Sequence, residues 1–265
     1  MRKTHSGLVA GVAAAVMAVA LLLATPATGA AEQKGQSRGV TNIVLVHGAW
    51  ADGSSWSKVI PLLEARGLHV VAVQLPLTSL ADDVATVQRA IALQDGPVLL
   101  VAHSYGGVVI TEAGDDPKVA GLVYVAAFAP VEGQSAFDLA NTSPTPALQE
   151  LRLDQFGFLR LTPTGIREDF AQDLSDTEQT VLTATQSPTA AGASLSAPVS
   201  TAAWRNKPCW FVIAARDRVV APQLQVMFAQ QMNATSITLW SSHVAMLSQP
   251  YVVASFIRKA ARDDR

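Results

Sequence analysis

Short uninterrupted apolar runs recur along the chain, separated by longer mixed segments. Apolar runs that do not alternate with polar residues are typical of strands buried on both faces of a sheet. The predicted strands are Asn42–Val46, Val70–Leu75, Val98–Ala102, Leu122–Ala127, Trp210–Ala214 and Ile237–Trp240.

Segments with helical spacing of apolar residues lie between these runs. Leu80–Leu93 is one of them, and Ser79 with Asp82 predicts a capping box at its start. The other predicted helices are Trp56–Arg66 and the segments that follow Ser104, Pro222 and Pro250. Regular alternation of strands and helices predicts an α/β fold with a doubly wound, mostly parallel sheet of about six core strands.

One interval, from about Pro130 to Lys207, breaks this alternation. It combines weakly amphipathic pieces such as Leu148–Phe158 with a stretch rich in Ala, Ser and Thr from Thr183 to Ala203. A long insertion after a strand end is more often a functional lid than a plain loop. We therefore predict an inserted cap over the functional site. The alternative is a disordered insertion, which the apolar residues between 148 and 159 disfavour.

The N-terminus has a basic head, then an uncharged apolar run from Ser6 to Ala24, then small residues after Pro26. This order is typical of a secretory signal. We predict a signal peptide over residues 1–30, a linker over 31–41, one domain over 42–265 and a secreted or extracytoplasmic location. The alternative is a retained anchor helix, because the apolar run approaches the roughly 20 residues that span a bilayer.

Charge and cysteine content limit the partners. The formal net charge is −2, and removal of the signal would also remove Arg2 and Lys3, so no basic patch for nucleic acid remains. The single cysteine, Cys209, cannot form an intramolecular disulfide, and no cluster of residues has metal-ligand spacing. We expect a small-molecule substrate, no metal or other cofactor, no nucleic acid and no stable membrane partner after signal cleavage. The oligomeric state stays open.

Ser104 ends a predicted strand in the sequence Ala102-His103-Ser104-Tyr105-Gly106. A serine with a small residue two positions away on each side is typical of a nucleophile elbow, because the two backbone arms of that turn nearly touch. The alternative is an ordinary strand-to-helix turn with an incidental serine.

A nucleophilic serine needs a histidine base and a carboxylate that orients it, and folds of this class place them in the order Ser, acid, His. His243 is the only histidine after Ser104, so it is the predicted base.

Asp217 follows the fifth predicted strand, and no Asp or Glu separates it from His243, so it is the predicted acid. Two alternatives remain. Asp217 could be a surface carboxylate paired with Arg216 or Arg218, and Glu132, in the loop after the fourth strand, could supply the acid instead.

Acyl transfer also needs donors for the oxyanion. The backbone N–H of Tyr105 is one candidate, and the loop after Gly48 can bring the N–H of Ala49 opposite it. Each such donor typically contributes about 2.7–4 kcal/mol of transition-state stabilisation. Trp50 and Phe128, near the expected strand ends, are candidate apolar pocket residues.

Four segments together, Val44–Trp50, Ala102–Gly107, Asp217–Val220 and Ser242–Pro250, resemble the α/β-hydrolase superfamily. More narrowly, they are similar to bacterial esterase-like relatives of the plant methyl-ester esterases and hydroxynitrile lyases. The resemblance covers nearly all of residues 42–262 and is weakest in the predicted cap.

The resemblance implies Ser104 as nucleophile, Asp217 as acid, His243 as base and the two N–H groups above as oxyanion hole. Lyases of this group carry threonine where this chain has Gly48, and lysine where it has Val244. The expected activity is therefore hydrolysis of small, largely apolar carboxylic esters. The alternatives are a hydroxynitrile-lyase-like or cofactor-free peroxidase-like reaction on the same triad, or a ligand-binding homologue without turnover.

Overall fold

The structure, a computed structural model, describes residues 39–263. The predicted signal over 1–30 and residues 31–38 of the predicted linker lie outside the described residues. The strands are β1 (Asn42–Val46), β2 (His69–Ala72), β3 (Val98–His103), β4 (Val119–Val125), β5 (Leu151–Leu153), β6 (Phe158–Leu161), β7 (Thr189–Ala190), β8 (Cys209–Ala214) and β9 (Thr235–Leu239). The helices are α1 (Ile60–Glu64), α2 (Leu80–Ala92), α3 (Gly106–Ala113), α4 (Ala136–Thr142), α5 (Pro163–Gly165), α6 (Asp176–Thr185), α7 (Pro222–Gln231), α8 (Ala245–Ser248) and α9 (Pro250–Arg262).

A six-stranded sheet forms the centre of the molecule, in the order β2-β1-β3-β4-β8-β9. Every neighbouring pair in it is parallel. All residues of β1, β3 and β8 are buried, as expected for strands covered on both faces. The predicted α/β fold with a parallel sheet of six core strands is therefore confirmed.

Only β1 has both predicted boundaries; β3 and β8 each differ by one residue at one end, and β2, β4 and β9 differ at both ends. β2 ends at Ala72 rather than Leu75, because the Leu75 N–H donates to the His47 side chain instead of a neighbouring strand. β4 ends at Val125, two residues early, since Ala126 has a φ of +47° and turns the chain away. β9 begins two residues before the predicted Ile237.

The predicted helix Trp56–Arg66 is wrong as a single element. It is a 3₁₀ turn over Gly53–Trp56 followed by the short helix α1, which has Pro61 in its first turn. Proline lacks an N–H and fits only at a helix start, so the helix cannot run through this point. α2 begins at Leu80 as predicted, with the Ser79 hydroxyl accepting from the Asp82 N–H at 3.0 Å. The predicted capping box is only half formed, because the Asp82 carboxylate accepts from the Ser79 hydroxyl, at 2.7 Å, and not from the Ser79 N–H.

The interval between β4 and β8 is folded. It contains α4 to α6 and a second, antiparallel sheet in the order β5-β6-β7. Its buried residues Leu161, Ile166 and Phe170 belong to the same hydrophobic cluster as the central sheet. The segment predicted as weakly amphipathic, 148–158, is mostly β5 and the turn that leads into β6. Among residues 39–263, no helix is both long and apolar enough to cross a membrane.

Candidate active site

Ser104 occupies a strained turn between β3 and α3. Its φ is +55°, in the left-handed region that non-glycine residues rarely adopt. Its backbone is fixed from two sides: the Ser104 N–H donates to the Val125 carbonyl at 3.3 Å, and its carbonyl accepts from Gly107 and Phe128. The surrounding sheet therefore imposes the conformation and holds the hydroxyl at the turn.

Two glycines let the turn and the loop after β1 approach each other. A Cβ at Gly106 would lie 2.6 Å from the His47 carbonyl oxygen, and a Cβ at Gly48 would lie 2.6 Å from Cβ of Ser104. Real Cβ atoms do not approach heavy atoms this closely, so neither position has room for a side chain.

His243 and Asp217 form a buried pair. Nδ1 of His243 lies 2.7 Å from Oδ2 of Asp217, and both side chains have no exposed surface. Oδ1 of Asp217 accepts from the N–H groups of Val219 and Val220 at 2.8 and 3.0 Å. Because a carboxylate accepts, Nδ1 carries the proton, and the lone pair of the ring is on Nε2.

Neither alternative for the acid has support in the contacts of the described residues. Arg218 pairs with Asp169 at 2.6 Å, and the Arg216 guanidinium lies over the Trp240 ring, so neither arginine holds Asp217. Glu132 pairs with Arg205 at 3.0 Å at the surface, where the two side chains are 44% and 48% exposed. The charge of Glu132, the alternative acid, is thus used in a surface ion pair, whereas His243 contacts Asp217.

Gln225 holds the acid in place and was not found from the sequence. Its Nε2 donates to Oδ2 of Asp217 and to the Val220 carbonyl, both at 2.8 Å, and its Oε1 accepts from the Ala214 N–H at 2.9 Å. These partners fix the orientation of a fully buried amide. The available signal was a glutamine on the buried face of α7, three residues before Phe228.

The ring of His243 is enclosed by two others. The His103 ring lies 4.5 Å away between centroids, and the Phe170 ring meets it edge-on at 5.1 Å. Nε2 of His103 donates to the His243 carbonyl at 3.0 Å, and burial lowers the pKa of His103 well below its usual value. His103 thus stays neutral. Because it directly precedes Ser104, its hydrogen bond holds the backbone of His243 close to the turn that carries the nucleophile.

Nε2 of His243 is buried and has no hydrogen-bond partner among residues 39–263. No hydrogen bond joins it to Ser104 in this part of the chain. The structure thus brings the predicted acid and base into contact and leaves the proton-accepting nitrogen free.

His47 orients the loop that carries Ala49. Its Nε2 accepts from the Leu75 N–H at 2.9 Å, so Nδ1 carries the proton and donates to the Gly48 carbonyl at 2.8 Å. Burial lowers the pKa of His47, which keeps the ring neutral in this arrangement. In a trans peptide the N–H points opposite the carbonyl, so the Ala49 N–H is turned away from His47.

Neither candidate oxyanion donor is occupied. Within residues 39–263, the N–H groups of Ala49 and Tyr105 donate to no other group. Both residues line the same cavity as Ser104.

That cavity is small, with a solvent-accessible volume of about 30 Å³, and no charged residue lines it. Trp50 and Phe128, the candidate pocket residues, both contribute to its wall. The cap supplies Phe137, Leu148 and Leu195. A ligand that reaches Ser104 is therefore surrounded by apolar side chains. Among the residues that the structure describes, no group of three or more His, Cys, Asp or Glu could hold a metal ion.

Comparison with known proteins identifies the family. The model of the alpha/beta hydrolase family matches residues 43–256, so the chain belongs to this family. A Phoma sp. protein named Probable hydrolase R7 is 28% identical over 205 residues, which are 70% of this chain and 81% of that protein. Methylesterase 7 of Arabidopsis thaliana is 39% identical over 104 residues, 33% of this chain and 40% of that protein.

A solved structure of a pyrethroid hydrolase has the same fold. It superposes with a TM-score of 0.74 at 24% sequence identity, covering 84% of this chain and 98% of that one. The protein is thus an α/β hydrolase with esterase-like homologues, and the resemblance read from its motifs is confirmed.

Proposed function

We propose that this protein is a secreted serine hydrolase that cleaves small, largely apolar carboxylic esters. The observation that carries the proposal is the buried 2.7 Å contact between His243 and Asp217, which leaves Nε2 of the histidine free beside a nucleophile elbow. The names of the relatives, a methylesterase and a pyrethroid hydrolase, support ester chemistry.

In the acylation step, the three side chains and the two backbone N–H groups of the site each have a separate role. Oγ of Ser104 attacks the ester carbonyl carbon while Nε2 of His243 takes its proton, and Asp217 stabilises the imidazolium. The negative charge that develops on the carbonyl oxygen accepts hydrogen bonds from the free N–H groups of Ala49 and Tyr105. The tetrahedral intermediate then breaks its bond to the alcohol oxygen, which leaves with the proton from His243.

Deacylation repeats the steps with water. His243 takes a proton from the water as its oxygen attacks the acyl carbon of the Ser104 ester. The bond to Oγ breaks, the proton returns to Oγ, and the carboxylic acid leaves. Ser104 and His243 regain their initial protonation states, so no cofactor is consumed.

The cavity supports small apolar substrates over charged ones. A charged acyl or alcohol group would lose its hydration without gaining a partner, because the lining carries no charge. An apolar group would gain roughly 25 cal/mol for each Å² of surface removed from water.

Two positions favour hydrolysis over cyanohydrin cleavage. A threonine at Gly48 would overlap Ser104, since its Cβ would lie 2.6 Å from Cβ of that residue. Val244, next to the histidine, is apolar and only 1% exposed. Neither the hydroxyl nor the cation of the related lyases has a counterpart at these positions.

The reaction class is tested by assaying one preparation for hydrolysis of p-nitrophenyl and methyl esters and for cyanide release from mandelonitrile. We expect ester cleavage that is lost in Ser104→Ala and little or no cyanide. Cyanide release at a comparable rate, or saturable ester binding without product, would overturn the proposal.

Secretion is tested separately. N-terminal sequencing of the mature protein from culture supernatant should begin near residue 31. Full-length protein retained in the membrane fraction would favour the anchor alternative instead.

A further inference from the structure

Asp83 is a buried carboxylate next to the active site that the mechanism above does not use. Its side chain lies in α2 and is fully buried. Oδ2 accepts from the Tyr105 hydroxyl at 2.8 Å, and Oδ1 accepts from the Leu77 N–H at 2.8 Å. Among residues 39–263, no cation pairs with Asp83, so these two donors are what compensates its charge.

Tyr105 links Asp83 to the nucleophile. It directly follows Ser104, its side chain is only 1% exposed, and its N–H is one of the two free donors at the cavity. The hydroxyl is held by Asp83 at the far end of the ring. A shift of the ring would rotate the peptide that carries the N–H, so the contact to Asp83 limits that rotation.

Leu77 links Asp83 to the cap. Leu77 has a φ of +56°, a strained conformation that needs support from its surroundings. Its N–H is held by Asp83, and its carbonyl accepts from the Ala190 N–H of β7 at 2.9 Å. The carboxylate therefore supports the turn to which the cap strand is hydrogen-bonded.

The same cap strand also contacts the loop that carries Ala49, the second candidate oxyanion donor. Oγ1 of Thr189 in β7 accepts from the Trp50 N–H at 3.3 Å, and Trp50 directly follows Ala49. The Trp50 ring nitrogen donates to the Leu159 carbonyl in β6 at 3.1 Å. The loop that carries Ala49 is thus hydrogen-bonded to the cap directly. Tyr105 is linked to the cap through Asp83 and Leu77.

We propose that Asp83 is a positioning residue for the oxyanion hole: its carboxylate fixes Tyr105 on one side and, through Leu77, the cap strand β7 on the other. This inference rests on the proposed function, because it gives Asp83 a role in stabilising the transition state of that reaction. Hydrogen bonds to an ionised carboxylate are about twice as strong as those to a neutral acceptor. Asparagine would fill the same volume, so packing alone does not require the charge.

The test compares Asp83→Asn with the matched control Asp82→Asn. Asp82 is the neighbouring carboxylate on α2, but it is exposed and contacts only Ser79 and Thr78 near the helix start. For each protein, kcat and KM are measured with an ester and with the thionoester in which sulfur replaces the carbonyl oxygen. Sulfur accepts hydrogen bonds weakly, so the ratio of the two kcat values measures how well the hole stabilises an oxyanion.

We expect Asp83→Asn to lower kcat for the ester by about 10-fold, below the 10²–10³-fold typical of deleting a donor outright. KM should change little, and the ester-to-thionoester ratio should fall toward one. Asp82→Asn should keep the wild-type ratio whatever its Tm. Tyr105→Phe, which removes only the hydroxyl, should shift the ratio in the same direction and serves if Asp83→Asn does not fold.

An unchanged ratio in both Asp83→Asn and Tyr105→Phe would overturn the inference, even if kcat fell, because a general loss of structure lowers both reactions alike. Wild-type protein that cleaves neither substrate would overturn the proposed function itself, so the two failures are distinguishable.

Discussion

Gln225 and Asp217 are joined by a 2.8 Å hydrogen bond to Oδ2, the same carboxylate oxygen that faces His243. Together with the N–H groups of Val219 and Val220 on Oδ1, this contact completes the coordination of the acid. The carboxylate cannot rotate without losing a partner. Gln225, on α7, therefore helps to fix the orientation of His243 through Asp217.

Gln225→Leu should destabilise the protein and impair catalysis. The variant leaves the buried Ala214 N–H and Val220 carbonyl without their side-chain partner, which costs about 1–3 kcal/mol for an unsatisfied buried group. Urea unfolding measures this loss. The matched control is Gln223→Leu on the same helix, whose amide contacts only Ser143 in an exposed setting. The control should stay within about 0.5 kcal/mol of wild type; equal effects of the two variants would contradict the role of Gln225.

Asp217→Asn should lower kcat by about 10⁴-fold with the fold intact, as a comparable change does in a serine protease. The N–H groups of Val219 and Val220 hold the amide oxygen at the Oδ1 position, so the NH2 group faces Nδ1 and donates to it, which holds the histidine in the wrong tautomer. Glu132→Gln is the control, because Glu132 occupies an exposed surface ion pair with Arg205 that solvent screens. Steady-state kinetics of both variants check this, and the reverse order of effects would move the acid to Glu132.

The sequence predicts the sheet well because the signal is local. Fully buried strands such as β1 and β3 must be apolar at every position, whatever their neighbours are. The triad was predicted from the order Ser, acid, His along the chain and from His243 being the only histidine after Ser104. Both inferences need only residues close in sequence or fixed in order by the fold class.

The supporting residues could not be predicted in this way. Asp83 and Gln225 are ordinary polar residues on helices, and their roles come from Tyr105 and Asp217, which other elements place beside them. The contact between Trp50 and Thr189 joins positions 139 residues apart. The cap strand β5 has only three residues, and two of them are exposed, so its pattern was too short to indicate a strand.

Gly48→Ala should reduce kcat by about 10²-fold or more, the order expected from a displacement of about 1 Å at a catalytic group. The new Cβ would lie 2.6 Å from Cβ of Ser104 and must push the loop or the serine away. Gly192→Ala is the matched control, since nothing lies within 4 Å of a Cβ there. Activity assays together with Tm decide the matter: a fully active Gly48→Ala would show that the loop can move without loss.

The ionisation of Asp83 should lower the free energy of unfolding as the pH rises. Burial raises the pKa of Asp83 to about 6, above its unfolded value, against the hydrogen bonds from Tyr105 and Leu77. The folded state therefore holds a proton that the unfolded state has lost, so stability decreases between about pH 4 and pH 6, by up to about 3 kcal/mol. Asp83→Asn lacks this ionisation.

The unfolding free energy of Asp83→Asn minus that of wild type should therefore rise from pH 4 to pH 7 and then level off. Chemical denaturation across this range measures the difference. Other groups titrate in both proteins and cancel. A difference that is flat, or that falls with pH, would contradict the raised pKa.

The most direct test of the account is covalent labelling with a fluorophosphonate, followed by mass spectrometry of the digested protein. A phosphonate reacts with an activated serine and leaves a tetrahedral adduct that resembles the intermediate of ester hydrolysis. We predict one label per chain, on Ser104, with loss of esterase activity in proportion to labelling and no label in Ser104→Ala or His243→Ala. A label on another residue, or ester turnover that persists in fully labelled protein, would contradict the assignment of Ser104 as the nucleophile.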